Sequence, residues 1–289
     1  MHRSFLFVPA ANQKAMAKAP TLQADGLILD LEDALAPEQK QQGRAAVIRF
    51  LRENQNMERP VMVRINHGPS ALQQTDIQAI AGEQPNALVV PKVESAAQLL
   101  RIFQQLQTVL AGTQKPLPSL WAMIETPLGV LHLGEICQAA KAVGLSGLLA
   151  GTNDLALELH CDPGADRASL LPHLAQIVLH ARGFGLQVLD GVYNDFSDAD
   201  GFEAQAAQGK MLGFDGKTLI HPGQIAPANR CFGPSPEQIK QAKAIVRAYS
   251  LKKNAGKGAI NVGGQMIERL HLAAAKQVLA QIQLEKPAK

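Results

Sequence analysis

The chain has 289 residues, 46% of them hydrophobic and 18% charged, which suits a large core in one big domain or one domain with an appendage. Aromatics are only 4%, so the core is aliphatic and a parallel α/β architecture is favoured over a β-sandwich. A net charge of +3, with no basic stripe interleaved with aromatics, argues against nucleic-acid binding, and no run reaches the ~18 apolar residues of a membrane span.

Eight short apolar runs, rich in Val, Ile and Leu, follow one another: SFLFVP, GLILDLED, VMVRIN, ALVVPK, LWAMIET, LSGLLAG, QVLDGVY and GKTLIH. The segments between them carry helical periodicity. SAAQLLRIFQQLQTVLAG and LLPHLAQIVLHARGFG repeat apolar residues at three and four, and the second stops at Gly183 and Gly185. Strand and helix alternating eight times predict a (β/α)8 barrel over residues 1–232. A doubly wound sheet is the alternative, but no GxGxxG follows the first run. Residues 233–289 form a C-terminal helical extension. Ser235 and Pro236 are placed to start its first helix, and the glycine-rich turn NAGKGAINVGGQ separates it from a last one. Cys137, Cys161 and Cys231 have neither CxxC nor zinc-like spacing. That set suits a reducing cytosol, and the first residues lack the long apolar core of a signal peptide, so a cytoplasmic location is expected.

In such a barrel the chemistry sits at the C-terminal ends of the strands. The second run ends in Asp30, Glu32 and Asp33, an unusual amount of negative charge to follow a buried strand. Side chains alternate along a strand, so Asp30 and Glu32 should share one face while Asp33 lies opposite or starts the loop. The third run gives Arg64 and Asn66, the fourth Lys92, the fifth Glu125, the sixth Asp154, the seventh Asp190, and the eighth Lys217 and His221. Glu125 and Asp154, from adjacent strands, suit Mg²⁺, an ion that keeps several non-protein ligands. Glu125 could equally be a buried acid paired with Arg64 or Lys92, and Asp154 an N-cap of the helix that follows. Arg64 suits bidentate carboxylate recognition or a structural role beside the acids. Lys92 reads as a charge balancer or a Schiff-base lysine. His221 lies at the mouth or fixes the next loop.

RSFLFVPA, GLILDLEDALAPEQK, VRIN, VVPKVES, MIETPLGV, GTNDLALEL, DGVYNDF, LGFDGKTLIHPGQIAPANRCFGPS and GGQMIE occur in that order. From Arg3 to about Ala275 the set resembles the citrate lyase beta-subunit-like enzymes of the HpcH/HpaI aldolase superfamily. The resemblance implies a barrel, usually trimeric, with a C-terminal segment lending residues to a neighbour's site. It also implies Mg²⁺-dependent cleavage or formation of carbon–carbon bonds in hydroxyacyl thioesters. Carried over residue by residue, Glu125 and Asp154 match the metal ligands, and Arg64 matches the substrate-carboxylate arginine. The Asp30, Glu32 and Asp33 motif lines the same pocket. The expected site thus has Arg64, Glu268, Asp30 and Glu32 as catalytic residues, with Arg64, Asp33, Lys92 and Asn66 contacting substrate. Three departures stand out. Glu268 occupies the place of a usual Asp, Arg269 and Leu270 replace a usual Leu-Pro, and Ala10 replaces a usual glycine.

The implied reaction converts a citramalyl-CoA or malyl-CoA type thioester to acetyl-CoA and a 2-keto acid such as pyruvate or glyoxylate, in a homotrimer or hexamer. The alternatives are a citrate lyase beta subunit acting on citryl-acyl carrier protein, or a metal- and keto-acid-binding barrel with little lyase activity.

Overall fold

A computed structural model describes residues 2–283. Each of the eight apolar runs is a strand: β1 (Ser4–Pro9), β2 (Gly26–Asp30), β3 (Val61–Arg64), β4 (Ala87–Val90), β5 (Ser119–Ile124), β6 (Leu145–Ala150), β7 (Gln187–Asp190) and β8 (Gly216–Leu219). They run in parallel in sequence order and close into a barrel, with Ser4 of β1 opposite Lys217 of β8. The (β/α)8 expectation holds. A parallel barrel is covered by helices outside and packed inside, so its strands read as continuous apolar runs, not as alternating ones.

The interior is a closed cluster of Phe5, Ile28, Met62, Ala87, Val89, Trp121, Met123, Leu149 and Leu189. Each fully buried side chain of this size contributes ~1.5–3 kcal/mol of transfer free energy. Outside the barrel, the helix Ala96–Val109 buries Leu99, Ile102 and Leu106 at the spacing the sequence predicts. At its start the Gln98 side-chain oxygen accepts from the Ser95 N–H at 3.0 Å. The helix Leu171–Gly183 buries Leu174, Ile177, Val178 and Ala181 and stops where its glycines begin. No described helix is long and apolar enough to cross a membrane.

The chain divides into two compact units, His2–Asn229 and one that begins at Arg230. In the second unit the helix Pro236–Ser250 starts at Ser235, whose hydroxyl accepts from the Gln238 backbone N–H while the Gln238 side-chain oxygen accepts from the Ser235 N–H. The glycine-rich stretch is more than a turn. β9 (Ala259–Val262) and β10 (Gln265–Glu268) pair antiparallel around Gly263 and Gly264, which have φ of +60° and +84°. Two residues with positive φ make the tight turn that matches strand twist, and glycine adopts it at no steric cost. The extension is therefore helix, hairpin, helix, not helices alone. Ala242, Ile245, Ile260, Ile267 and Ala275 form its own small core.

Candidate active site

On five of the eight strands the inward-facing set, continued one step past the packed interior, writes out the site. Phe5 leads to Phe7, Ile28 to Asp30, Met62 to Arg64, Met123 to Glu125 and Leu149 to Gly151. Those continuations line a cavity of about 310 Å³ at the C-terminal ends of the strands. Asp33, Ala34, Thr152, Asn153, Asp154, Val192, Asn194, Thr218 and Ile220 contribute to the rest of it. Period-two alternation thus selects which strand-end residues reach the mouth.

Arg64 is the centre of one wall. Its Nε and Nη2 donate to the two oxygens of Asp30, both at 2.7 Å. Its Nη1 reaches Asp33 at 3.0 Å and Glu32 at 3.2 Å, and its plane lies 5.0 Å from the Phe7 ring centre. All three acids converge on one guanidinium, against the expectation that alternation would separate them. The reason is that β2 ends at Asp30. Glu32 and Asp33 belong to a loop folded back by the Glu32 and Ala34 amides, which donate to Asp30. The cluster is uneven: the Asp30 and Glu32 side chains are 4% and 10% exposed, that of Asp33 68%.

Burial pushes the Glu32 carboxyl up to about 8, against the pull of Arg64 and aided by the neighbouring acids. At neutral pH Glu32 therefore holds a proton, and its 3.2 Å approach to Arg64 is the contact of a neutral acid with a cation. Asp30 and Asp33 supply the counter-charge. Burial also opposes the charge on Arg64, but the hydrogen bonds and charge of Asp30, followed by the charges of Glu32 and Asp33, raise its pKa.

The second wall carries Glu125 and Asp154. Lys92 ties them together: its backbone N–H donates to Glu125 Oε1 at 2.7 Å, and its ammonium meets Asp154 Oδ1 at 3.1 Å. To aim that N–H, Lys92 takes φ of +47°, a region a non-glycine residue enters at some cost. Gly151 makes room, since a Cβ there would stand 2.3 Å from the Glu125 Cβ and 2.6 Å from its Oε2. Glu125 is pushed up to about 7, first by burial and then by the charge of Asp154, while the Lys92 amide pulls the other way. Two hard oxygen donors whose mutual repulsion a cation would relieve fit a divalent ion such as Mg²⁺. Among the described residues no group of three His, Cys, Asp or Glu side chains is arranged to hold a metal, so the remaining ligands of such an ion would be water or substrate. Asp154 does not cap its helix; Gly151 holds that position and Asp154 lies in the first turn.

Other expected residues fall elsewhere. Asn66 is buried and its amide donates to Asp76 at 2.6 Å, outside the cavity lining. Lys92 and Glu32 act from behind the wall. Glu268 ends β10, where its backbone N–H donates to His271 Nδ1. His221 caps the turn Pro222–Gln224 and stacks on Phe196, which is the loop-fixing role. Asp190 and Lys217 do not reach the mouth. Leu189 and Thr218 occupy the inward positions, so their neighbours point outward. Asp190 is fully buried there between Arg167 at 2.8 Å and Lys217 at 2.9 Å. Arg167, in an irregular connection, and the reciprocal amide pair Asn153–Asn194 on the cavity wall are not among the expected residues. The GTND stretch after β6 was the available signal for Asn153.

Residues 3–222 match the family described as HpcH/HpaI aldolase/citrate lyase. Over 278 residues the chain is 39% identical to a (3S)-malyl-CoA thioesterase of Cereibacter sphaeroides, covering 96% of this chain and 93% of that protein. Over 275 residues it is 32% identical to the mitochondrial citramalyl-CoA lyase of Homo sapiens, covering 92% and 81%. Among solved structures, CitE from Mycobacterium tuberculosis in complex with magnesium, acetoacetate and coenzyme A is 30% identical, with a TM-score of 0.76 and 97% of each chain covered.

Proposed function

For a chain that belongs to the HpcH/HpaI aldolase/citrate lyase family, a family of carbon–carbon lyases, we propose a Mg²⁺-dependent lyase that splits a 3-hydroxyacyl-CoA. The substrate is of the citramalyl or malyl type, and the products are acetyl-CoA and a 2-keto acid such as pyruvate or glyoxylate. The observation that carries this reading is the Glu125–Asp154 carboxylate pair, joined through Lys92, in the same cavity as Arg64. The complex of the 30% identical CitE with magnesium, a keto acid and coenzyme A supports it.

Mg²⁺ held by Glu125 and Asp154 would supply Lewis-acid polarisation of the substrate's hydroxyl and carboxylate. The ammonium of Lys92 does not block that position. Its pair with Asp154 is about one-third exposed on both sides, and pairs of this kind are worth roughly 0–1 kcal/mol. Arg64 binds the substrate carboxylate. Three of its five N–H groups are engaged by Asp30 and Asp33, with Glu32 close beside them, and the substrate replaces Asp33, the exposed partner. Asp30 and Glu32 position the guanidinium, and they do so without touching substrate. An acid–base group takes the hydroxyl proton, the C–C electron pair passes to the thioester as an enolate, and a proton returns to that carbon. Glu268, lent by a second copy of the chain in a homotrimer or hexamer, is the proton donor, a role worth about 10²–10⁴-fold in rate. Three cysteines that form no disulfide among the described residues suit a reducing, cytoplasmic setting.

A second reading is hydrolysis of the same thioester, favoured by the 39% identity to a malyl-CoA thioesterase. There the C–S bond breaks and the C–C bond survives. Product analysis separates the two. Incubation of the full-length chain with Mg²⁺ and malyl-CoA gives glyoxylate and acetyl-CoA if it is a lyase, and malate and free CoA if it is a thioesterase. Glu125→Ala should abolish lyase turnover and Glu268→Ala should cripple it. No turnover of citramalyl- or malyl-CoA would redirect the assignment to an acyl-carrier-protein substrate, as for a citrate lyase beta subunit, or to a barrel that binds without cleaving.

A further inference from the structure

Charge is distributed very unevenly along this chain. Residues 1–229 carry 17 Lys and Arg against 22 Asp and Glu, whereas residues 230–289 carry 11 against 3. A mild overall charge of +3 therefore hides a strongly basic C-terminal unit. Much of that charge is solvated surface, but part of it is gathered. A concavity of about 420 Å³ lies between the helix Pro236–Ser250, the loop Asn254–Lys257 and the helix Arg269–Gln283, all within the unit that begins at Arg230. It is lined by Lys257, Arg269 and Lys276, and among the described residues no carboxylate lines it.

The three cations are held there loosely. Lys257 Nζ reaches Asn254 Oδ1 at 3.5 Å, and Arg269 Nη2 reaches the Gly256 carbonyl at 3.4 Å. Both distances are at the outer limit of a hydrogen bond. Among the described residues none of the three is in an ion pair. Most of their N–H donors remain open to a ligand, and like charges gathered in one hollow repel until an anion joins them. Arginine and lysine together match the fork-and-point geometry by which phosphate oxygens are bound.

We propose that this hollow is a binding site for a phosphorylated anion, separate from the barrel cavity. Two sources share that chemistry: the phosphates of a nucleotide-bearing carrier and a free polyphosphate. Isothermal titration of the full-length chain with adenosine 3′,5′-bisphosphate and with inorganic tripolyphosphate tests it. One saturable site per chain, weakened by added salt, is expected. Tighter binding of the bisphosphate identifies a nucleotide source, and equal or tighter binding of tripolyphosphate identifies the free anion. The triple variant Lys257→Gln, Arg269→Gln, Lys276→Gln should lose at least about tenfold in affinity, since charge-assisted hydrogen bonds are being removed. Arg269→Lys should restore part of the loss seen in Arg269→Gln. Lys240→Gln, an exposed cation of the same unit outside the hollow, should bind as the wild type does. The three side chains are exposed, and an unchanged melting temperature confirms that each variant is folded. The proposal is overturned if neither anion binds saturably, if the triple variant binds as tightly as wild type, or if Lys240→Gln costs as much as a pocket substitution. It is also overturned if Arg64→Met abolishes the binding, which would place the anion in the barrel cavity.

Discussion

Glu32 releases its proton near 4.5 in the unfolded chain but only near 8 in the fold, because burial penalises its charge. Between those values the native state holds more protons than the unfolded one, so stability falls as pH rises. The contribution is complete below about 4.5 and lost once pH passes about 8. Urea midpoints at pH 5 and pH 8 should therefore drop more steeply for the wild type than for Glu32→Gln. Parallel midpoints would mean that Glu32 stays ionised in the fold. Asp33 offers a different experiment. As the exposed partner of Arg64, it competes with any incoming carboxylate. Asp33→Ala should tighten pyruvate binding about 3–10-fold, the worth of one freed hydrogen bond discounted for an exposed partner. Weaker binding, measured by calorimetry, would show instead that Asp33 itself holds the ligand. The identities of these residues were legible in the sequence, because charge at the end of an apolar run is conspicuous. Their wiring was not. That Lys92 serves Glu125 through a backbone N–H in a left-handed conformation leaves no mark on a side-chain list.

The eight strands were legible because a strand buried on both faces must be a short, unbroken apolar run, and such runs stand out between amphipathic helices. Their ends were less so. Asp190 ends an apolar run just as Glu125 does and Lys217 opens one, yet both point outward, and only the register of the closed barrel decides which alternate set faces in. The hairpin of β9 and β10 escaped for a different reason. Gly-Gly between AINV and QMIE is a sound turn signal, but it is short and sits among other glycines, which read as a flexible linker. Gly264 at φ of +84° gives the test. Gly264→Ala should cost about 1–2 kcal/mol, the left-handed penalty of an L residue, and hydrogen exchange should rise across residues 259–268. Exchange unchanged from wild type would mean that the turn does not hold the pair together.

For the molecule as a whole, an ion that binds only the native state adds to its stability by mass action. At a hundred times its dissociation constant Mg²⁺ should raise the unfolding free energy by about 2.7 kcal/mol. A chelator should reverse the gain, and Glu125→Ala should show none. A melting curve indifferent to Mg²⁺ in the wild type would count against the Glu125–Asp154 site. The closure of β1 against β8 also has a bearing on how the protein is made. β1 leaves the ribosome well before its partner β8, which begins only at Gly216. At roughly 5–20 residues per second, synthesis leaves one edge of β1 unpaired for on the order of 10–40 s. An open apolar strand edge is a template for pairing with other chains. The nascent chain, far more than the finished enzyme, is where this protein is open to aggregation and where a chaperone would act.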